Sequence, residues 1–184
     1  MGAEPNAKMI LSFQDYVKWD LEQEERHEFF DGEVFAMAGG TDDHDLVAGN
    51  IFAELRQHLR GRGCRAYTSN MKVQIRLKHA EVGYYPDAMV VCDPEDRESL
   101  FKTRPKVIVE VMSDFRRDHV EKFMVYQHLD TLEDYLVINQ DPAAPKAWIY
   151  RRATGWDQET VEPGGVVELP SIDFRIPLVS LYEG

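Results

Sequence analysis

Cysteine is scarce in this chain of 184 residues: Cys64 and Cys92 are the only two, and neither sits in metal-ligand spacing. The reading is therefore neither a disulfide framework nor a structural zinc. Long apolar runs are missing as well, none approaching the roughly 18 residues that span a bilayer, so a membrane helix is not expected. Met1 to Lys8 has no apolar segment of the signal-peptide kind. Residues 1–11 are expected to be a frayed tail, with cytoplasmic residence as the default. There is no Gly-Lys-Ser/Thr phosphate loop, which argues against an ATP-driven role, and no Gly-x-Ser-x-Gly elbow. His27, His44, His58, His79, His119 and His128 form no His-x-x-x-His helical pair, which weakens any zinc hydrolase. Helix-turn-helix and zinc-finger signatures are absent. With no repeat, low-complexity tract or linker, residues 12–184 are expected to form a single domain.

Positive charge is outnumbered, with 21 Lys and Arg against 33 Asp and Glu and a formal net charge of −12. That balance argues against a protein coated for nucleic acid. The distribution is less uniform. Arg56, Arg60, Arg62, Arg65, Lys72, Arg76 and Lys78 follow one another with no acidic residue between them. Lys102, Arg104 and Lys106 form a second group, and Arg116 and Arg117 a third. Either the Arg56–Lys78 stretch gives weak, salt-sensitive contact with DNA phosphates, or it is a solvated face.

Ser12 followed by Asp15 has the form of a helix cap, opening a short helix to about Leu21. Arg26 to Met37 reads as a hairpin about the strong Asp31-Gly32 turn signal. Leu46, Val47, Ile51, Leu55 and Leu59 recur at helical spacing, predicting a helix from His44 to Leu59. Strands are predicted at 65–68, 72–77, 85–92 and 106–112, a helix at 114–129 and a strand at 134–138. Short strand signals follow at 147–150 and 156–161, separated by Thr154-Gly155 and ending at Pro163-Gly164-Gly165. The order indicates a mixed α+β fold: a central mixed sheet flanked by helices, with N- and C-terminal β-hairpins.

Two carboxylates break this apolar pattern. Asp87 follows Tyr84-Tyr85-Pro86 and precedes Ala88-Met89-Val90-Val91, while Glu110 ends Val107-Ile108-Val109. A carboxylate in such a run is costly to bury unless it is paired or holds a cation. On neighbouring strands, the two would make a hard-oxygen site suited to Mg²⁺ or Mn²⁺, the chemistry of phosphodiester hydrolysis. The blander readings are a strand-edge Asp87 and a Lys122 that pairs with Asp118 on a solvated helix face.

The ordered set resembles the PD-(D/E)XK nuclease superfamily, and within it the Uma-type restriction-endonuclease domains of bacteria. The resembling residues run from about Ser12 to Glu183. They are His27-Glu28-Phe29-Phe30-Asp31-Gly32-Glu33, Ala36-Met37-Ala38-Gly39-Gly40, His44, Tyr85-Pro86-Asp87 and Val109-Glu110-Val111-Met112-Ser113. Asp118, Glu121-Lys122-Phe123, Tyr126 and Glu133-Asp134-Tyr135-Leu136-Val137 complete it. The superfamily places lysine two residues after the glutamate, where this chain has Met112; the resemblance implies that Lys122, from the following helix, takes that place. Asp118, Lys122 and Tyr126 fall on one helix face. Ser113-Asp114-Phe115-Arg116 departs from the Ser-Pro-Ser-Thr that is common in the family.

The implied fold is restriction-endonuclease-like and the implied activity a Mg²⁺- or Mn²⁺-dependent endonuclease on DNA, restriction-like or mobile-element-associated. Asp87 and Glu110 would hold the ion, with the Val111 main-chain carbonyl as third ligand. Lys122 would orient the attacking water, Glu28 add a ligand or hold a water, and His44 contact the leaving group or a phosphate. One rival is a catalytically inactive nuclease-fold module for nucleic-acid binding or assembly. Another is a structural oligomer that pairs through the hairpins of Trp148 and Trp156. A homodimer is compatible with all three.

Overall fold

Ser12 caps the first helix, its hydroxyl accepting the Asp15 amide at 3.1 Å, and α1 runs over Phe13–Asp20. The structure is a computed structural model and describes residues 11–37, 39–112 and 118–184, without the side chains of Asp118 and His119. Residues 1–10, most of the expected tail, lie outside that description, but the Leu11 amide donates to the Gly32 carbonyl at 3.0 Å. β1 (His27–Phe30) and β2 (Glu33–Ala36) pair antiparallel. Asp31 and Gly32 between them both take positive φ, 46° and 93°, as a two-residue hairpin turn requires. α2 spans Asp42–His58 and is capped by Thr41, whose hydroxyl accepts the His44 amide at 3.3 Å. It starts two residues before the predicted position, with Thr41 rather than Asp43 as its cap.

Next come β3 (Arg65–Thr68), β4 (Lys72–Arg76), β5 (Glu81–Tyr84), β6 (Ala88–Val91), β7 (Phe101–Lys102) and β8 (Pro105–Met112). The second half holds α3 (Asp118–Tyr126), β9 (Asp134–Asn139), β10 (Ala147–Arg151), β11 (Gln158–Val161), β12 (Val166–Leu169) and β13 (Phe174–Pro177). One sheet has the order β2-β1-β5-β4-β7 and a second the order β11-β10-β9-β8-β6-β3; β12 and β13 form a separate hairpin. β8 and β9 run parallel, and α3 lies between them in the chain. The class is the mixed α+β arrangement expected from the element order.

Strand alternation sorts β8 between two cores. Val107, Val109 and Val111 pack with Val47, Ile51 and Leu55 of α2. Ile108 faces the other way, among Val73, Met89, Tyr126 and Tyr135. Glu110 has the parity of Ile108 and so lies on the α3 side, buried to 4% exposure. A third cluster sets Phe13, Tyr16 and Val17 of α1 against Phe29. Gly83 permits that approach: a Cβ there would lie 2.9 Å from Tyr16 Cε1.

Three expectations need correction. The strand expected at 85–92 begins only at Ala88, because Pro86 has no amide to donate, and residues 85–87 link it to the unanticipated β5. The helix expected at 114–129 is described over Asp118–Tyr126, and residues 113–117 lie outside the described part. Cys64 and Cys92 form a disulfide, because β3 pairs antiparallel with β6 and brings the ends of the two strands together. Reduction of this bridge across 28 residues is expected to lower stability by about 3.6 kcal/mol on the chain-entropy account. Urea unfolding with and without reductant measures it.

Trp156 packs inward, 5.9 Å from the Phe123 ring and 5.0 Å from the Arg152 guanidinium. Among the described residues no helix is long and apolar enough to cross a membrane.

Candidate active site

Asp87 stands immediately before β6 and reaches across to the end of β8, where its Oδ2 accepts the Val111 amide at 2.7 Å. That bond extends the β6–β8 ladder by one side chain beyond the last backbone pair, Ala88 with Val109. His44, in the first turn of α2, brings Nε2 to 3.3 Å from the same oxygen. The hydrogen bond to Asp87 raises the His44 pKa; burial opposes this, and the negative charge of Asp87 and Glu110 adds to it.

Glu110 enters the same space from β8. Its Oε1 accepts the Tyr126 hydroxyl at 2.7 Å and lies 3.8 Å from Lys122 Nζ. Lys122 itself donates to Glu28 Oε1 at 2.7 Å and sits 5.1 Å over the Tyr84 ring. Lys122 and Tyr126 are one helical turn apart on α3, so one helix face supplies both partners of Glu110. Asp87, Glu110, Lys122, Glu28 and His44 thus converge from the link before β6 and from β8, α3, β1 and α2. The Asp118 side chain lies outside the described part.

Electrostatics follow from this crowding. Burial pushes the Glu110 carboxyl up to about 7; Lys122 pulls it back and Asp87 pushes it further up. For Lys122, burial acts to lower the ammonium pKa, but Glu110 and Glu28 outweigh it and the net shift is upward. Burial, then the charge of Glu110, holds the Tyr126 hydroxyl well above its ordinary range, so it stays a donor. Burial and the charge of Glu28 raise the Tyr84 hydroxyl to about 12.

The donor set fits a hard divalent cation. Among the described residues no three His, Cys, Asp or Glu side chains cluster closely enough to hold a metal. The available oxygens are therefore two carboxylates and a main-chain carbonyl. Met112 turns its carbonyl to the Gln140 amide on the β9 side, while Val111 turns its amide to Asp87. Backbone alternation then directs the Val111 carbonyl toward Asp87 as well. One or two carboxylates, a carbonyl and waters make a set suited to Mg²⁺ or Mn²⁺.

A pH dependence follows, with its sign set by the raised Glu110 pKa. Between the ordinary 4.5 and about 7 the folded chain binds a proton that the unfolded chain releases. The contribution to stability is thus full below pH 4.5 and lost as pH rises to 7, by on the order of 3 kcal/mol at most. In EDTA the melting temperature is expected to fall over that window. Saturating Mg²⁺ is expected to flatten the curve, because a cation held beside Glu110 would replace that proton.

The Arg56–Lys78 stretch, read either as a weak DNA contact or as a solvated face, does not present all of its cations together. Lys72 is buried and pairs with Asp20 at 3.0 Å, since its position on β4 turns it inward. Arg56 lies further along α2 than His44 by about 18 Å of helical rise. Arg65 pairs with Val91, at the opposite end of β6 from Asp87. Arg62 meets Asp173 at 3.5 Å and Arg76 meets Glu81 at 3.6 Å. In the second basic group, Lys102 is buried, Arg104 pairs with Asp93 and Lys106 with Glu133. Arg116 and Arg117 lie outside the described residues. In the sequence Tyr84 is read only as part of the run leading to Asp87; its place under Lys122 is not legible there because β5 is short and carries a glycine.

The chain resembles known proteins over most of its length. It is 32% identical over 177 residues to the uncharacterized protein slr1290 of Synechocystis sp. (strain ATCC 27184 / PCC 6803 / Kazusa), covering 95% of this chain and 92% of that one. It is 29% identical over 136 residues to the uncharacterized protein sll1609 of the same organism, covering 71% and 76%. In three dimensions it matches the crystal structure of a "putative nuclease belonging to DUF820" from Anabaena variabilis ATCC 29413 with a TM-score of 0.73. That match covers 94% of this chain and 97% of the other at 17% identity. Residues 13–178 fit the profile of the Uma2 family, described as "Putative restriction endonuclease", and the chain belongs to that family.

Proposed function

We propose that this chain is a divalent-metal-dependent endonuclease that hydrolyses phosphodiester bonds in DNA. The convergence of Asp87, Glu110 and Lys122 at the adjoining ends of β6 and β8 carries this reading. Its support is that Asp87, bonded to the Val111 amide at 2.7 Å, and Glu110, 3.8 Å from Lys122 Nζ, stand at these strand ends in a chain of a family described as "Putative restriction endonuclease".

In the mechanism each side chain has a separate task. Asp87 keeps Oδ2 on the Val111 amide and would hold the ion through Oδ1. Glu110 keeps Oε1 on Tyr126 and would hold it through Oε2. When bound, the divalent ion polarises a non-bridging phosphate oxygen and lowers the pKa of its water. Lys122 orients the attacking water and offsets the negative charge that builds on the phosphorus centre. Glu28 holds Lys122 at 2.7 Å and keeps the ammonium aimed at Glu110. His44, beside Asp87 and favoured in its protonated form by that contact, meets a phosphate oxygen or the leaving group. Paired as a homodimer, two such sites would cut both strands of a duplex.

Nicking of supercoiled plasmid by the purified protein tests the proposal. Conversion to open circles with Mg²⁺ or Mn²⁺, and none in EDTA, is the expected result; linear product would indicate paired sites. Intact plasmid under every metal condition would contradict it.

A further inference from the structure

The mechanism leaves the buried carboxylates Asp20, Asp96 and Asp134 unused, and of these Asp20 touches the segments that lead to Glu28 and Asp87. Asp20, the last residue of α1, is 6% exposed. Helix α1 packs on the Phe29 face of β1, and Lys122 meets Glu28, the preceding residue of that strand. By strand alternation Asp20 and Lys122 lie on opposite faces of the first sheet. Its Oδ1 accepts the His27 amide at 2.9 Å and lies 3.3 Å from the His27 ring Nδ1. Its Oδ2 accepts the Tyr85 hydroxyl at 2.5 Å and meets Lys72 Nζ at 3.0 Å. One turn earlier on the same face of α1, Tyr16 donates its hydroxyl to the His27 carbonyl at 2.5 Å. Both backbone groups of His27 are therefore held by α1, and the next residue is Glu28. Tyr85 is held through its hydroxyl, with Lys72 5.0 Å over its ring, and two residues further on is Asp87.

We infer that Asp20 is a positioning residue that fixes, from the far side of the sheet, the two backbone segments carrying Glu28 and Asp87. A simple counter-ion for Lys72 would need only the Lys72 contact. Asp20 instead directs one oxygen to His27 and shares the other with Tyr85. Pro86 removes an amide from the link between Tyr85 and Asp87, and β6 starts only at Ala88. The Tyr85 anchor thus sets where Asp87 emerges, and the Asp87–Val111 bond reads out its position. The inference rests on the nuclease reading only in treating Glu28 and Asp87 as site residues.

Two variants test it. Tyr85→Phe removes one hydroxyl, and Asp20→Asn with Lys72→Met removes the buried charge pair together, so that no unpaired ion remains. Both are studied at a temperature where circular dichroism shows them folded. The first readout is hydrogen exchange of the Val111 amide, expected to speed up about tenfold while other β8 amides keep their protection. The second is Mn²⁺ affinity by calorimetry, expected to weaken about tenfold, with kcat for nicking reduced more than KM rises. Misplacement of catalytic groups by about 1 Å has effects of this size or larger. Unchanged Val111 exchange and Mn²⁺ affinity in the folded variants would reduce Asp20 to a counter-ion and overturn the inference. If the wild-type protein neither bound Mn²⁺ nor nicked DNA, the nuclease proposal would fail, and Val111 exchange would still decide the role of Asp20.

Discussion

Replacement of Asp87 by alanine is expected to abolish metal-dependent nicking, lowering kcat/KM by at least about 10³-fold. Loss of a ligand removes several kcal/mol of charge stabilisation at the phosphate, and each 1.36 kcal/mol is a factor of ten. The fold is expected to survive. The variant leaves the Val111 amide without its acceptor, at a cost of about 1–2 kcal/mol. The core neighbours Val109 and Val107 keep their packing, since Asp87 lies outside both apolar clusters. Asp87→Asn separates charge from shape: it retains an acceptor for Val111, so its melting temperature should match the wild type while cleavage is still lost. Initial nicking rates set beside thermal melts measure both quantities. Cleavage at wild-type rate in either variant would remove Asp87 from the site.

The second large effect is expected for Lys122→Met, which keeps most of the side-chain length and removes the charge. A fall in kcat of about 10²- to 10³-fold is expected, the size found when one electrostatic donor to a developing oxyanion is removed. The variant should also displace the pH profile. Lys122 is the cation that restrains the upward shift of Glu110. Without it the Glu110 carboxyl holds its proton to higher pH, and metal binding, which needs the carboxylate, moves in the alkaline direction. Glu28 loses its partner at the same time. Lys122→Arg is not expected to restore the rate, because a planar guanidinium fork cannot reproduce a point ammonium over the Tyr84 ring. A rate profile from pH 6 to 9 at saturating Mn²⁺ separates the two effects. An unshifted profile with lowered kcat would mean that Lys122 does not act on Glu110.

Asp87 and Glu110 could be found in the sequence because a carboxylate at the edge of an apolar run is chemically conspicuous. Lys122 is assigned to their site only through the resemblance to the family; helix periodicity, which gives Tyr126 the same phase, agrees with that assignment but does not make it. Other features depend on contacts that spacing does not encode. Glu81-Val82-Gly83-Tyr84 is short and interrupted by glycine, so β5 gave little local signal, although Gly83 is what lets Tyr16 approach. β7 has two residues and exists through its pairing with β4. The cysteines are brought together only by the β3–β6 ladder, which a linear reading does not contain. The basic stretch looked continuous because strand parity, which turns Lys72 into the interior toward Asp20, is settled by packing. Asp20 was passed over for the same reason: its partners, His27, Lys72 and Tyr85, come from three separate strand regions.

The most direct measurement is an anomalous-scattering experiment on crystals of the protein grown or soaked with Mn²⁺. The account predicts a peak bonded to Asp87 and Glu110, with the Val111 carbonyl in its coordination sphere and Lys122 beside it. A Mn²⁺ peak bound elsewhere, with neither Asp87 Oδ1 nor Glu110 Oε2 coordinating it, would contradict it.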